Sequence, residues 1–229
     1  MSLAENKKSS RSAELAHRKS QERLAEMIPQ TALYESANPF KNYLHNKRRK
    51  VVLGFVGDPK GLVLDLGCGD GFFLESLGNA VGVDLSKIRI RRAKRRSGKP
   101  VLVCSAEKLP FRRTTFEFVI VSEVLEHLTD PDECLDEITC VLKREGLAVI
   151  SVPNDRVLKI GGRFAYVLGI VLGRVSGTMK HQLPAVREHL HEIGPDYLRA
   201  FLIPVRRSNV FFDLPFRLAF FHVGLYRIK

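Results

Sequence analysis

The stretch that decides the fold is Leu62-Val63-Leu64-Asp65-Leu66-Gly67-Cys68-Gly69-Asp70-Gly71. Its apolar first half predicts a short buried strand, and its three glycines predict a tight turn directly after that strand. Glycines at such a turn let backbone N–H groups approach a bound ligand closely. Phe72 stands where a GxGxxG dinucleotide fingerprint would need its last glycine, so the spacing is GxGxG. The stretch therefore predicts a strand followed by a ligand-binding turn.

Apolar runs and helical segments alternate after this turn. Strands are predicted at 80–84, 101–104, 116–121 and 147–152, and helices at 72–77, 87–96, 123–127 and 131–142. Continuous apolar strands alternating with helices predict a parallel sheet with helices on both faces. Right-handed crossovers place the loops that follow these strands at one edge, where a ligand binds.

The remaining segments divide the chain into four parts. Residues 1–50 predict a helical N-terminal cap, 51–155 the core, 156–194 an insertion, and 195–229 a short helix with closing strands of the same domain. The insertion is apolar and glycine-rich over 156–178. An insertion of this length at the ligand edge is typical of a lid, and a packed helix that covers the sheet is the alternative.

The charge is unevenly distributed along the 229 residues, which carry a formal net charge of +12. Residues 1–50 carry +6, 51–100 carry +4, 101–150 carry −5 and 151–229 carry +7. The segment Lys87–Lys99 alone holds eight basic side chains. Such an excess favours RNA or anionic lipid as a partner, and a solvated basic surface is the alternative. The 45% hydrophobic content excludes wholesale disorder.

The cysteine pattern predicts a reduced, intracellular protein. No CxxC pair occurs among the four cysteines, which disfavours a zinc ribbon or a thioredoxin-type site. The first 30 residues are charged throughout and contain no apolar signal-peptide core. We therefore expect a cytoplasmic protein, with peripheral membrane contact through 156–178 as a further expectation.

The GxGxG turn resembles motif I of the class I S-adenosylmethionine-dependent methyltransferases. The resemblance continues in order through Asp84, the loop Ser105–Phe111, the run FEFVIVSEVLEHL at 116–128, and the stretch 142–154. It is strongest to the small-molecule and quinone-type branch and covers about residues 60–154. It implies a Rossmann-like, doubly wound sheet of seven mostly parallel strands. It also implies S-adenosylmethionine as cofactor and S-adenosylhomocysteine as product.

The resemblance also implies which residues hold the cofactor. Asp65 and Gly67 would line its methionine part, Asp84 its ribose, Ala106 and Glu107 its adenine, and Ser122 its sulfonium. The full implied set is Asp65, Gly67, Cys68, Gly69, Gly71, Asp84, Leu85, Ala106, Glu107 and Ser122.

Catalytic candidates follow the fourth strand. Glu123, Glu126 and His127 have i, i+3, i+4 spacing and share one face of the predicted helix. We predict His127, His191 and Glu123 as catalytic residues, with His127 as a base for the acceptor. We expect no resident metal. The alternative is a divalent site made of Glu123, Glu126, His127 and His191, or of the first three with His189.

Three functions are compatible with these features. The first is methyl transfer to a small, apolar or lipid-like acceptor, which the apolar insertion and the quinone-type resemblance favour. The second is an RNA methyltransferase acting on tRNA or an RNA end, which the positive charge favours. The third is a non-catalytic, partner-binding subunit of the same fold, against which the intact turn and acidic residues argue. The sequence indicates neither the acceptor atom nor the oligomeric state.

Overall fold

The computed structural model describes residues 19–20, 22–23, 25–26, 39–154, 157, 190–211 and 219–229. Its centre is one sheet of seven strands, which are numbered along the chain and lie in the order 3-2-1-4-5-7-6. The first five strands run parallel, and the seventh is antiparallel to the fifth and the sixth. The predicted sheet of seven mostly parallel strands is confirmed. The strands are β1 (Val63–Leu66), β2 (Ala80–Asp84), β3 (Val101–Val103), β4 (Phe116–Ser122), β5 (Leu142–Pro153), β6 (Leu202–Phe211) and β7 (Ala219–Ile228).

Helices cover both faces of the sheet. They are α1 (Pro39–Val56), α2 (Lys87–Ser97), α3 (Pro131–Val141) and α4 (Pro195–Leu198), with short 3-10 helices at Leu74–Ser76 and Leu125–His127. The described residues between 19 and 26 are also helical. α1 packs against β5, β6 and β7, so it belongs to a helix layer of the domain.

Local sequence signals set the ends of the helices beside the site. The Ser86 hydroxyl accepts a hydrogen bond from the Arg89 N–H and caps α2, as predicted, and Gly98 ends that helix at φ +68°. Asp130 caps α3 by accepting from the Glu133 N–H, and Pro131 follows at the first helical position.

Two apolar layers hold the helices to the sheet. On one face, Leu44 and Val52 of α1 and Ala93 of α2 pack with Ile120 and Val149 of the strands. On the other face, Leu135 and Ile138 of α3 and Leu198 of α4 pack with further strand residues, including Val121 and Ile150. Alternate strand side chains point to opposite faces, so β4 and β5 supply both layers.

Two predicted helices are wrong. Residues 72–77 contain a turn and the 3-10 helix Leu74–Ser76, and residues 123–127 contain only the 3-10 helix Leu125–His127. Glu123 adopts φ +57°, which a right-handed helix does not accommodate. β5 also begins earlier than predicted, since Leu142 already pairs with Phe116 before an irregularity in the register.

Of the predicted lid at 156–194, only Val157 and residues 190–194 lie within the described residues, so the lid stays a prediction. The proposed boundary at residue 50 lies inside α1. Within the described ranges, no helix combines the length and the apolar character needed to span a bilayer.

Candidate functional site

The predicted cofactor residues converge at one edge of the sheet. Asp65 is the third residue of β1, Asp84 ends β2, Ala106 follows β3 and Ser122 ends β4. These four strands are neighbours in the order 3-2-1-4, and they run parallel. Their carboxyl ends therefore meet at the edge where α/β sheets bind ligands.

The glycine turn has a backbone that side chains would disturb. Gly67 has φ +71°, and a Cβ on it would lie 2.4 Å from Cγ2 of Val124. Gly71 has φ +86°, and its Cβ would lie 2.9 Å from Cα of Ala93 in α2. The Cys68 N–H donates to the Val83 carbonyl at 2.8 Å, which fastens the turn to β2. The turn is thus packed tightly between the β4 loop and α2.

The Asp84 carboxylate joins this turn to the start of α2. It accepts hydrogen bonds from the Gly69 N–H at 3.0 Å and from the Ser86 N–H at 2.8 Å. Burial raises the pKa of Asp84 above its usual value, although Arg89 and the two backbone N–H groups oppose that rise. Each carboxylate oxygen has two acceptor lone pairs, so Asp84 retains capacity for ligand hydroxyls.

Asp65 is a buried carboxyl whose Oδ2 has no hydrogen-bond partner among the described residues. Burial, together with the nearby charge of Asp84, raises its pKa to about 8. A carboxyl in this state is stabilised in its ionised form by a cation placed next to it. Asp65 and Asp84 together make the edge suitable for a ligand that carries positive charge and hydroxyl groups.

Cys68 takes part in the turn through its backbone. Burial, with Asp65 and Asp84 nearby, raises the pKa of its thiol well above the usual value. The thiol therefore stays protonated and is unsuited to act as a nucleophile.

The loop after β3 is anchored by Glu107. Its carboxylate accepts from the Ser105 hydroxyl at 2.9 Å and from the Asp130 N–H at 2.8 Å, which ties the loop to the residue that caps α3. The neighbouring Ala106 and Leu85 are partly exposed. This arrangement keeps the surface of the predicted adenine site open at the sheet edge.

Four polar side chains form a network at the ends of β4 and β5. The Ser122 and Ser151 hydroxyls lie 3.1 Å apart, and the Ser151 hydroxyl donates to Glu123 Oε1 at 3.2 Å. Arg48 of α1, only 3% exposed, lies 3.1 Å from Glu123 Oε2 and stacks over the ring of Phe221. These contacts suit Glu123 to positioning the loop after β4 more than to moving a proton.

The candidate metal cluster is not assembled. Glu126 is fully buried, Glu123 is held by Arg48, and no three His, Cys, Asp or Glu side chains converge as metal ligands in the described part of the chain. The helical face expected to carry these groups does not form, because Glu123 lies outside the 3-10 helix. The proposed set of Glu123, Glu126, His127 and His191 is therefore wrong, and His189 lies outside the described residues.

The segments that carry His127 and His191 are nevertheless joined by backbone hydrogen bonds. The Leu190 and His191 N–H groups lie 2.7 Å and 3.4 Å from the Glu126 carbonyl. His127 is partly exposed, and its Nε2 lies 4.0 Å from Glu126 Oε1. The segment around 190 thus flanks the loop after β4, where both histidines were predicted to act, and their catalytic roles stay predictions.

Sequence reasoning missed two residues of this region. Arg48 lies in a basic run, but it also shares the i, i+4, i+8 stripe with Leu44 and Val52, both buried. An arginine on an apolar helix stripe was the available signal. Glu22 accepts from the Ser86 hydroxyl at 3.0 Å and from the Lys87 N–H at 2.8 Å, and its sequence surroundings carry no comparable signal.

Comparison with known proteins identifies the core of this site. Residues 64–150 match a family model described as a methyltransferase domain. This part of the chain is a methyltransferase domain. The match spans β1 to β5 and includes the glycine turn, Asp84, the loop after β3 and the loop after β4.

Curated relatives share this domain. An uncharacterized protein of Methanocaldococcus jannaschii is 35% identical over 50% of this chain and 46% of its own length. The human mitochondrial ubiquinone biosynthesis O-methyltransferase is 35% identical over 48% of this chain and 31% of its own length. The ubiquinone/menaquinone biosynthesis C-methyltransferase of Desulfotalea psychrophila is 33% identical over 56% of this chain and 57% of its own length. The chain thus spans about a third to somewhat over half of the length of these relatives.

A solved structure shows the same fold over more of the chain. The N-methyltransferase NodS of Bradyrhizobium japonicum, in complex with S-adenosyl-L-homocysteine, has a TM-score of 0.58 and 19% identity. It covers 84% of this chain and 89% of its own. At this identity the likeness establishes the methyltransferase fold alone.

Proposed function

We propose that the protein transfers a methyl group from S-adenosylmethionine to a small, apolar or lipid-like acceptor. The observation that carries this proposal is the pair of buried carboxyls, Asp65 and Asp84, on either side of a glycine turn at the carboxyl ends of β1 and β2. The matched methyltransferase domain supports the reaction class.

The residues at this edge fit the cofactor. The buried, unpartnered Oδ2 of Asp65 suits the α-ammonium group of the methionine part. Asp84 is oriented by two backbone N–H groups and can accept ribose hydroxyls. The partly exposed Ala106 and Leu85 suit contact with the adenine ring. Ser122 is the last residue of β4, which pairs with the strand that carries Asp65.

The chemistry requires little covalent participation by the protein. The cofactor supplies a methyl group on a sulfonium, ready for in-line displacement. The chain contributes alignment of the acceptor, which can supply much of the rate, and a base where the acceptor must lose a proton. His127 is partly exposed in the loop after β4, which suits it to take a proton from an acceptor hydroxyl. His191, from the flanking segment, is the second candidate for this role.

The acceptor class is supported by the named relatives. Two of them are called ubiquinone or menaquinone biosynthesis methyltransferases, one an O- and one a C-methyltransferase. These two relatives are named for transfer to different atoms, and the chain matches only part of each. We therefore propose the class of acceptor, a prenylated phenol or quinone-like molecule, and leave the acceptor atom open.

Binding of S-adenosylhomocysteine tests the cofactor site. At a ligand concentration of about 100 times Kd, stabilisation is about 2.7 kcal/mol, or a rise in Tm of about 5–10 °C for a chain of this size. The Asp84→Ala variant should bind at least about tenfold more weakly, because it loses hydrogen bonds to a charged group. Asp58→Ala, at an exposed position, is the control. An unchanged Tm in the wild type would refute the cofactor site and favour the non-catalytic subunit.

Turnover tests the acceptor. We expect methylation of prenylated phenols or catechols, measured by transfer of labelled methyl groups, and little dependence on salt. Salt-sensitive methylation of tRNA without turnover of any phenol would contradict the proposal and support the RNA methyltransferase. His127→Ala should lower kcat for a hydroxyl acceptor and change KM little. The loss in kcat should be smaller for a more acidic phenol.

A further inference from the structure

The two faces of the sheet carry opposite charge. α1 and α2, which cover one face, contain twelve basic and no acidic residues. α3 and α4, which cover the other face, contain five acidic and no basic residues. The two basic helices come first in the chain and the two acidic helices follow, and the fold places each pair on its own face of the sheet. We propose that the face formed by α1 and α2, called here the basic face, docks on an anionic lipid surface.

The outward side chains of α2 form the centre of the basic face. Lys87, Arg91, Lys94 and Arg95 follow the spacing i, i+4, i+7, i+8 and are all exposed. Arg91, Lys94 and Arg95 form no ion pair with a carboxylate in the described ranges; the Lys94 ammonium bonds carbonyls at the end of the helix. Their charges are therefore directed to the solvent.

The inward arginines have a different task. Arg92 lies 3.7 Å from Asp70, and Arg96 lies 3.7 Å from Glu75. Arg49 of α1 lies 3.8 Å from the same Glu75 carboxylate. One acidic side chain thus bridges two basic helices, which fixes them beside each other and leaves the region positive. The geometry separates a structural set of cations from an outward set.

A lipid surface fits the outward set better than a nucleic acid. Every exposed side chain of α2 between residues 87 and 97 is Lys or Arg, so this helix offers no aromatic group for stacking on bases. Lys and Arg near an anionic membrane contribute through charge alone. The helix α2 begins at Lys87, three residues after Asp84, so docking would bring the cofactor edge close to the bilayer. The choice of lipid rests in part on the proposed lipid-like acceptor.

The test uses the full chain and vesicles of phosphatidylcholine with 30 mol% phosphatidylglycerol. We expect the wild type to bind these vesicles at low salt and not to bind vesicles of phosphatidylcholine alone. Arg91→Glu with Arg95→Glu should weaken binding at least about thirtyfold, since each cation near the surface is worth about fivefold. Arg91→Gln with Arg95→Gln should give a smaller loss and serves if the charge reversal disturbs folding.

The matched control changes the net charge equally at another place. Lys143→Glu with Arg144→Glu replaces two exposed basic residues at the start of β5, and we expect it to weaken binding less than threefold. Equal loss in both variants would overturn the proposal, because net charge would then explain binding. Absence of binding to anionic vesicles would overturn it as well. Binding of a 30-nucleotide RNA that responds to the Arg91 and Arg95 reversal, with no vesicle binding, would assign the basic face to nucleic acid instead.

Binding of S-adenosylhomocysteine, measured on the same samples, separates this inference from the proposed function. Vesicle binding without cofactor binding retains the basic face and refutes the methyltransferase activity. Cofactor binding without vesicle binding retains the methyltransferase activity and refutes docking of the basic face. Retained cofactor binding in the Arg91 and Arg95 variants also shows that they are folded.

Discussion

Replacing Asp65 with Asn should stabilise the protein and weaken its binding of the cofactor. The Asp65 carboxyl is buried, and its pKa is raised to about 8 by burial and by the charge of Asp84. In the unfolded chain the same group ionises near 3.8. Between these values the folded state holds a proton that the unfolded state releases. The free energy of unfolding therefore falls as the pH rises between these two values. Above about pH 8 this group causes no further change.

The magnitude follows from linkage. Each pH unit within this window lowers the free energy of unfolding by about 1.4 kcal/mol. Between pH 5 and pH 7.5 the wild type should thus lose about 3 kcal/mol through Asp65 alone, as an upper figure. Asn has nearly the same shape and does not titrate. The advantage of Asp65→Asn over the wild type should therefore grow as the pH rises from 5 to 7.5.

The assay is urea unfolding of the ligand-free protein at several pH values from 5 to 8.5. Taking the difference between variant and wild type removes contributions from other titrating groups. Asp58→Asn, which changes an exposed carboxylate, is the matched control and should show a nearly constant difference. Parallel stability curves for Asp65→Asn and the wild type would refute the reasoning, since the buried carboxyl would then titrate alike in both states.

The same carboxyl links cofactor binding to protons. If an ammonium group is placed beside Asp65, the ionised form is favoured, so binding near pH 7 should release about one proton. Calorimetry of S-adenosylhomocysteine binding in two buffers of different ionisation enthalpy measures this number. Asp65→Asn should eliminate the release and weaken binding by at least about tenfold.

Three further substitutions test the neighbouring geometry. Gly67→Ala should destabilise the protein by about 2 kcal/mol or more, measured by urea unfolding, because the new Cβ meets Val124 at a left-handed backbone position. Arg48→Leu should destabilise it by about 3 kcal/mol, because the Glu123 carboxylate loses its buried partner. Glu22→Gln should lower stability by about 0.5–1 kcal/mol, since it removes a negative charge at the α2 N-terminus, and should speed proteolysis of the N-terminal segment several-fold.

Each of these has a matched control. Gly78→Ala, where a Cβ meets nothing within 4 Å, should change stability by less than about 1 kcal/mol. The double variant of Arg48→Leu with Glu123→Gln should recover part of the lost stability, and strictly additive losses would contradict the ion pair. Glu26→Gln changes an exposed residue of the same segment, and an equal effect there would contradict the specific role of Glu22.

The strands and the glycine turn could be predicted because their determinants are local. A buried parallel strand is written as a continuous apolar run, and a left-handed backbone at Gly67 and Gly71 is available almost only to glycine. Local sequence signals could not show that the helix expected at 123–127 does not form. Its spacing was helical, but the contacts of Glu123 with Arg48 and Ser151 are formed across the fold and hold a different backbone.

By itself, the sequence determined the order of the strands along the chain, the acidic residues at their ends and the amount of charge in each segment. These properties depend on neighbours within a few residues. Only the tertiary structure decided that Arg48 of α1 holds the loop after β4, and that β7 enters the sheet antiparallel between β5 and β6. It also decided that basic and acidic helices cover opposite faces of the sheet. The physical reason is that these features arise from packing between distant segments, whose side chains meet only when the crossovers are formed.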